Sequence, residues 1–322
     1  MIAQKSNACH YRASSIAAVC VVGSVCCASN QNMLHFSSFS FSIIVALVVL
    51  LSCLGGCDEP EQVPAYLHID TVLLNTAAGQ GTASHALKTV WLSLDGQSLG
   101  AYELPVTVPI LAEGTQTILV EGGIAVSGVL SNRLRYPFVA PRSYTVNLTP
   151  LQTAQISPEL SYQSDVVFEM MSDFEASSNF AFLVGSEAQS SLTDDPTLVF
   201  EGGRSLAMVN SIAAPTFTLA TVDAYGLPVA NVPVYIEMNY RCDAPFLVGL
   251  RGIDGNGGAQ SADLVVRVNT KPTWNKIYID IEPIISSLTP TYSFFQVTIN
   301  ATLPDSLAQA TYLFDNIKLL HQ

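Results

Sequence analysis

Residues 293–303 read SFFQVTINATL. Phe295, Val297, Ile299 and Ala301 fall on one side of a two-residue repeat, and Phe294, Gln296, Thr298 and Asn300 on the other. Only an extended strand returns to the same face every second residue, so this stretch is a strand with one buried face. The same period runs through WNKIYIDIE, where Asn275, Ile277, Ile279 and Ile281 oppose Trp274, Lys276, Tyr278, Asp280 and Glu282. In VPVYIEMNYR it sets Val232, Val234, Ile236, Met238 and Tyr240 inward and Tyr235, Glu237, Asn239 and Arg241 outward. No window carries a convincing helical stripe. Turn signals punctuate the runs, notably Asp95-Gly96 and Glu113-Gly114, and Asp-Gly between apolar runs marks a hairpin. The chain is therefore expected to be all-β, with short strands packed as sandwiches. Its length suits two such domains.

Two segments are set apart from that pattern. FSIIVALVVLLSCLGG is as long as the apolar core of a secretion signal and too short to span a bilayer as a helix. It ends in Leu54-Gly55-Gly56-Cys57, followed by Asp58, Glu59, Pro60 and Glu61. This motif resembles the bacterial lipobox, in which the cysteine thiol is lipidated and the leader cut off before it. The resemblance implies a signal segment over 1–56, translation starting in fact at Met33, lipidation of Cys57 and an acidic tether over 57–65. Two or three acyl chains anchor stably where one does not. Some outer-membrane lipoproteins carry an acidic stretch like this one, which implies an outer-membrane location with exposure at the cell surface. Cleavage would leave 11 Lys and Arg against 26 Asp and Glu. Such an acidic surface repels nucleic acid, which is excluded as a partner. Of seven cysteines only Cys57 and Cys242 would remain, so there is no disulfide framework, and Cys242 reads as a small buried apolar residue.

The first folded part, 66–150, contains VWLSLDGQSLGAYELPVTVPILAEGTQTILV. A strand, a D-G turn, a "G…LP" crossing and "EGTQTI" in that order resemble the PEGA-type repeat, a small immunoglobulin-like sandwich that serves as a spacer or interaction module. The stretch TPLQTAQISPELSYQSD is polar and holds Pro150 and Pro158, so 151–164 is read as a linker. From 165 to 322 the order of segments resembles the jelly-roll, galactose-binding-like modules of carbohydrate-active proteins. The marks are DFE near the start, "G.RSL", WNKIYI and a closing LFDNIKL. The resemblance implies that the first and last strands pair, and that they hold a structural Ca²⁺ through Glu175 and Asp315.

Candidate chemistry is sparse. His68, His85 and His321 are the only histidines after Cys57, and HExxH, GxSxG and phosphate-loop patterns are absent. No pair of carboxylates stands out for glycoside hydrolysis. The chain is therefore read as not an enzyme, needing no cofactor. The outward faces of the alternating strands offer more. Trp274, Lys276, Tyr278, Tyr235, Glu237, Asn239, Arg241 and Gln296 would together make a face of aromatic rings, amides and charges. Flat rings meet the C–H faces of sugars, and bidentate groups meet their hydroxyls. The expected function is non-catalytic binding of a carbohydrate or other surface polymer by the jelly-roll domain of a lipid-anchored protein. An assembly lipoprotein that contacts a membrane-protein partner is the alternative, and a glycan-processing enzyme a more distant one.

Overall fold

The computed structural model describes residues 62–229, 231–259, 263–289 and 291–322. Cys57 and its leader lie outside the described residues. Among the described residues no helix is long and apolar enough to cross a membrane.

Ten strands come first: β1 (Ala65–Ile69), β2 (Leu73–Asn75), β3 (Thr89–Leu94), β4 (Gln97–Glu103), β5 (Val106–Ile110), β6 (Gly114–Ala125), β7 (Arg133–Arg135), β8 (Arg142–Leu148), β9 (Thr153–Ile156) and β10 (Glu159–Ser161). Eleven more follow: β11 (Val167–Ser172), β12 (Phe180–Phe182), β13 (Gln189–Thr193), β14 (Ser205–Ser211), β15 (Thr216–Thr221), β16 (Val234–Cys242), β17 (Phe246–Ile253), β18 (Asp263–Val268), β19 (Lys271–Asp280), β20 (Phe294–Thr302) and β21 (Gln309–His321). Among the described residues one helix, α1 (Glu282–Leu288), interrupts the series. The chain is all-β, as its alternation dictates.

The first sandwich opposes a sheet ordered β4-β3-β6-β7 to the pairings β5-β1-β9 and β10-β2. The long β6 serves two neighbours on one edge: Gly114–Val120 pairs with β8 and Gly123–Ala125 with β7. Residues 151–164 are not a linker. Thr153–Ile156 runs parallel to β1, and Glu159–Ser161 runs parallel to β2. Leu160 is fully buried against Gly122, where a Cβ would meet its methyl at 2.9 Å. The polar residues there are the exposed half of two short strands, and sequence polarity alone mistook them for a spacer.

The second sandwich is a jelly roll. A six-stranded sheet ordered β13-β14-β21-β16-β19, with β11 also on β21, faces a five-stranded sheet ordered β12-β15-β20-β17-β18. First and last strands pair antiparallel, Val167 opposite His321, as the resemblance implied. Val234, Ile236, Met238, Tyr240, Ile277, Ile279 and Ile281 point into this core together with Phe295, Val297, Ile299 and Ala301. The strand read through WNKIYIDIE stops at Asp280, two residues before Glu282. Pro283 sits in the first turn of α1, where its missing N–H has no helical partner to lose.

A second apolar cluster fills the first sandwich and does not stop at its boundary. It includes Tyr235, Tyr278 and Leu320, which stand on the outer face of the six-stranded sheet. Burying each such side chain contributes about 1.5–3 kcal/mol. Residues 62–322 accordingly form one compact unit.

Candidate functional site

The outer face of the six-stranded sheet carries seven of the eight residues expected to bind ligand. The structure covers five of them. Tyr235, Glu237, Asn239, Lys276 and Tyr278 are all less than 9% exposed beneath the first sandwich. The alternation assigned them to the correct face; what it left out was that another domain sits on that face. As open ligand contacts these five are corrected to parts of a junction.

That junction is a closed polar network. Lys276 Nζ lies 2.7 Å from Glu237 Oε2 and donates to the Ser84 carbonyl at 2.8 Å. The Tyr136 and Tyr162 hydroxyls donate to Glu237 Oε1 at 2.7 and 2.8 Å. Ser84 Oγ donates to Asn239 Oδ1 at 3.1 Å, and the Ala86 amide to the Tyr278 hydroxyl at 2.8 Å. Lys318 Nζ donates to the Thr82 carbonyl at 3.1 Å, 5.3 Å from the centre of the Tyr162 ring. Burial works to raise the Glu237 pKa, but the charges of Lys276 and Lys318 and the donated hydrogen bonds hold it below the usual value. Burial pushes the Lys318 ammonium down to about 8. Burial and the nearby Glu237 charge raise the Tyr136 and Tyr278 phenols well above their usual range. Sequence reasoning missed Tyr136, Tyr162 and Lys318. The visible signal was Lys318 itself, a single lysine inside the apolar closing run NIKLL.

Trp274 and Arg241 lie at the far ends of β19 and β16, beyond the first sandwich. Trp274 is half-buried with its ring 5.2 Å from Phe200, and Arg241 donates to the Thr197 carbonyl at 3.0 Å. Both are engaged by the jelly roll's own loop after β13.

Gln296 cannot join the other seven, because β20 belongs to the opposite sheet. Its face is the outer side of the five-stranded sheet. Thr298 stands near the middle of that face, opposite Ala220 on one side and Gly249 on the other. It is 0% exposed and its hydroxyl is without a partner. Buried hydroxyls are seldom left so, since an unmade hydrogen bond costs about 1–3 kcal/mol. Larger polar groups flank it. Arg251 Nη1 donates to Gln296 Oε1 at 3.0 Å, and Gln296 Nε2 donates to the Thr221 carbonyl at 2.7 Å. On the other side Asn300 stands between Thr218 and Leu247 in register, and beyond Gln296 the row ends at Phe294, 46% exposed. Guanidinium, amides, a sunken hydroxyl and an exposed ring can together engage hydroxyl-bearing rings by hydrogen bonds and stacking.

The residues expected to hold calcium are arranged as anions satisfied by protein. Asp315 accepts from Ser205 Oγ at 2.6 Å and from the Asn316 amide at 2.8 Å. Glu175 accepts from the Gly203 amide at 2.9 and 3.1 Å and from that of Arg204 at 3.4 Å. Among the described residues no group of three or more His, Cys, Asp and Glu side chains is placed to hold a metal. Calcium takes six to eight oxygens, and here the carboxylates of Glu175 and Asp315 accept from N–H and O–H donors of the chain itself. Cys242 is buried, and burial pushes its thiol up to about 11, as its reading as an apolar residue required.

No family model matches this chain, and no curated protein is similar to it. Among solved structures it is similar to the C-terminal family 22 carbohydrate-binding module of Clostridium thermocellum Xyn10B, at 15% identity over 47% of this chain and 91% of that one, with a TM-score of 0.32. It is also similar to the family 11 carbohydrate-binding module of the C. thermocellum cellulase Lic26A-Cel5E, at 13% identity over 49% and 97% of the two chains, with a TM-score of 0.36. A tandem family 22 module from Paenibacillus barcinonensis Xyn10C is 17% identical over 48% of this chain and 45% of its own, with a TM-score of 0.35. These likenesses are to β-sandwiches, and no ligand for this chain follows from them.

Proposed function

We propose that this protein is a lipid-anchored surface protein that binds a glycan chain, without cleaving it, on the outer face of the five-stranded jelly-roll sheet. Cys57 is the anchor and the acidic stretch after it the tether, placing the protein at the outer membrane. One observation carries the site. The first sandwich covers the other sheet's outer face; among the described residues no second domain packs on this one, and the unpartnered Thr298 hydroxyl is buried in it. A sugar hydroxyl or a water bridging to it supplies the missing bond.

The test is binding of the full chain to a glycan array, followed by titration with the best oligosaccharide. Thr298→Val keeps the shape and removes the orphan hydroxyl. We expect it to fold with unchanged or higher stability while affinity falls at least about tenfold, the size of one good hydrogen bond. Gln296→Ala should fall likewise. Affinity unchanged in both variants, or no glycan bound at all, would overturn the reading, and released sugar product would replace binding by catalysis. Palmitate labelling lost in Cys57→Ser checks the anchor.

A further inference from the structure

Two grooves flank the loop between β6 and β7, which docks on β19 through a hydrogen bond from the Ser127 amide to the Tyr278 carbonyl at 2.7 Å. They differ in charge. The groove on the Tyr235 side encloses about 550 Å³ and carries the carboxylates Asp280 and Glu282 across from Arg133 and Arg135. The groove on the Tyr240 side encloses about 370 Å³ and is lined by Lys88, Arg133, Lys271 and Lys276 with a single acid, Glu103.

The acid is already taken. Arg133 Nη2 lies 2.7 Å from Glu103 Oε1, and Lys276 is bound by Glu237. Lys88 and Lys271 remain. Both are exposed, one comes from each sandwich, and neither has an ion-pair partner among the described residues. A chain of formal net charge −13 has thus placed two free ammonium groups at one cleft. Asn275 lines the same cleft; its Nδ2 donates to the Tyr240 hydroxyl at 3.1 Å and to the Lys276 carbonyl at 3.3 Å, which leaves its side-chain carbonyl as an acceptor for a hydroxylated ligand, and Ala86, Ala125 and Gly128 leave room beside it.

We propose that this cleft binds a sugar acid: a hydroxyl-rich ring whose carboxylate pairs with Lys88 or Lys271. The acidic character of the whole chain works against a densely charged polymer, so the ligand is sparsely charged, one or two carboxylates meeting two ammonium groups. The site is distinct from the face around Thr298 and does not depend on it. Because the ammonium groups come from both sandwiches, the cleft exists only while the two are docked.

The full chain is titrated with oligogalacturonate and with its methyl ester, in parallel with a Lys88→Gln/Lys271→Gln variant and with Gln296→Ala. We expect the acid form to bind, to weaken at least about tenfold in the lysine variant and on raising salt, and to be unaffected by Gln296→Ala. The ester should bind at least about tenfold more weakly. Equal affinity for acid and ester, no loss in the lysine variant, or no binding of the acid overturns the proposal. Loss of acid binding in Gln296→Ala with the lysine variant intact also overturns it, and places the acid sugar on the sheet face instead.

Discussion

Asp315 is held where a carboxylate is least at ease. It is 1% exposed, and burial, with the negative charges of Glu201 and Glu175 nearby, raises its pKa to about 6 against hydrogen bonds from Ser205 and Asn316 that lower it. A carboxyl whose folded pKa lies above its unfolded value binds its proton more tightly in the native state. Its contribution is therefore most stabilising below the unfolded value near 3.8 and is lost as pH rises through about 6. Asn316 beside it adopts a left-handed backbone and donates its side-chain amide to Glu201 at 2.5 Å, which ties the strand end to the loop before β14. Asp315→Asn removes the ionisable group and keeps a polar side chain for Ser205, whose hydroxyl can turn to donate or accept. Calorimetry from pH 4 to 7.5 should show the variant's melting temperature equal to or above the wild type at pH 7.5. The gap should close toward pH 4. A gap of the same size at both ends would show that Asp315 does not titrate in this window.

Among the elements, β10 is the instructive case. Three residues long and rich in neighbours that look like a spacer, it nonetheless puts Leu160 at 0% exposure into the first core. Leu160→Ala should cost about 2–5 kcal/mol in chemical denaturation, as for a buried leucine elsewhere. A cost below about 0.5 kcal/mol, typical of a surface site, would return the segment to the status of a linker. Longer strands were legible because their faces differ: β16, β19 and β20 each read correctly as to which side chains point into the jelly-roll core. Short parallel pairs such as β10 with β2 leave only one or two core residues each, too few for a period to show. Sheet membership was illegible for a different reason. Alternation says that Gln296 and Tyr278 both point outward, yet which sheet each strand joins is fixed by pairings across 28 or more residues of intervening chain. The same gap hid the docking: an outward face of Tyr, Glu, Asn and Lys is a plausible ligand surface or a plausible interface, and the sequence of one strand does not say what covers it.

For the whole molecule, the junction decides whether the two sandwiches act as one body. Three charged side chains are sealed there, Glu237 between Lys276 and Lys318, and the desolvation of three charges is offset only while every partner is present. Removing one charge alone leaves the others buried and uncompensated. Lys276→Met should therefore cost about 3–5 kcal/mol, and Glu237→Leu at least as much, since it leaves two buried ammonium groups and two tyrosine hydroxyls without their acceptor. The double variant Glu237→Leu/Lys276→Met should cost less than the sum of the two, because it removes both members of the closest pair. Lys318 adds a pH signature. Its folded pKa near 8 lies below the ordinary lysine value of 10.5, so the unfolded chain holds this proton more tightly, and the native state gains stability from this group as pH rises between those values. That gain should vanish in Lys318→Met. Denaturation of the single and double variants, followed at pH 7 and pH 9.5, measures both effects. Strict additivity of the two single losses would show that Glu237 and Lys276 are not coupled. An unfolding curve that splits into two steps only in the single variants would show that this network joins the sandwiches, since each would then unfold on its own. A single step in every variant would mean that the apolar contacts of Tyr235, Tyr278 and Leu320 suffice to keep the unit whole.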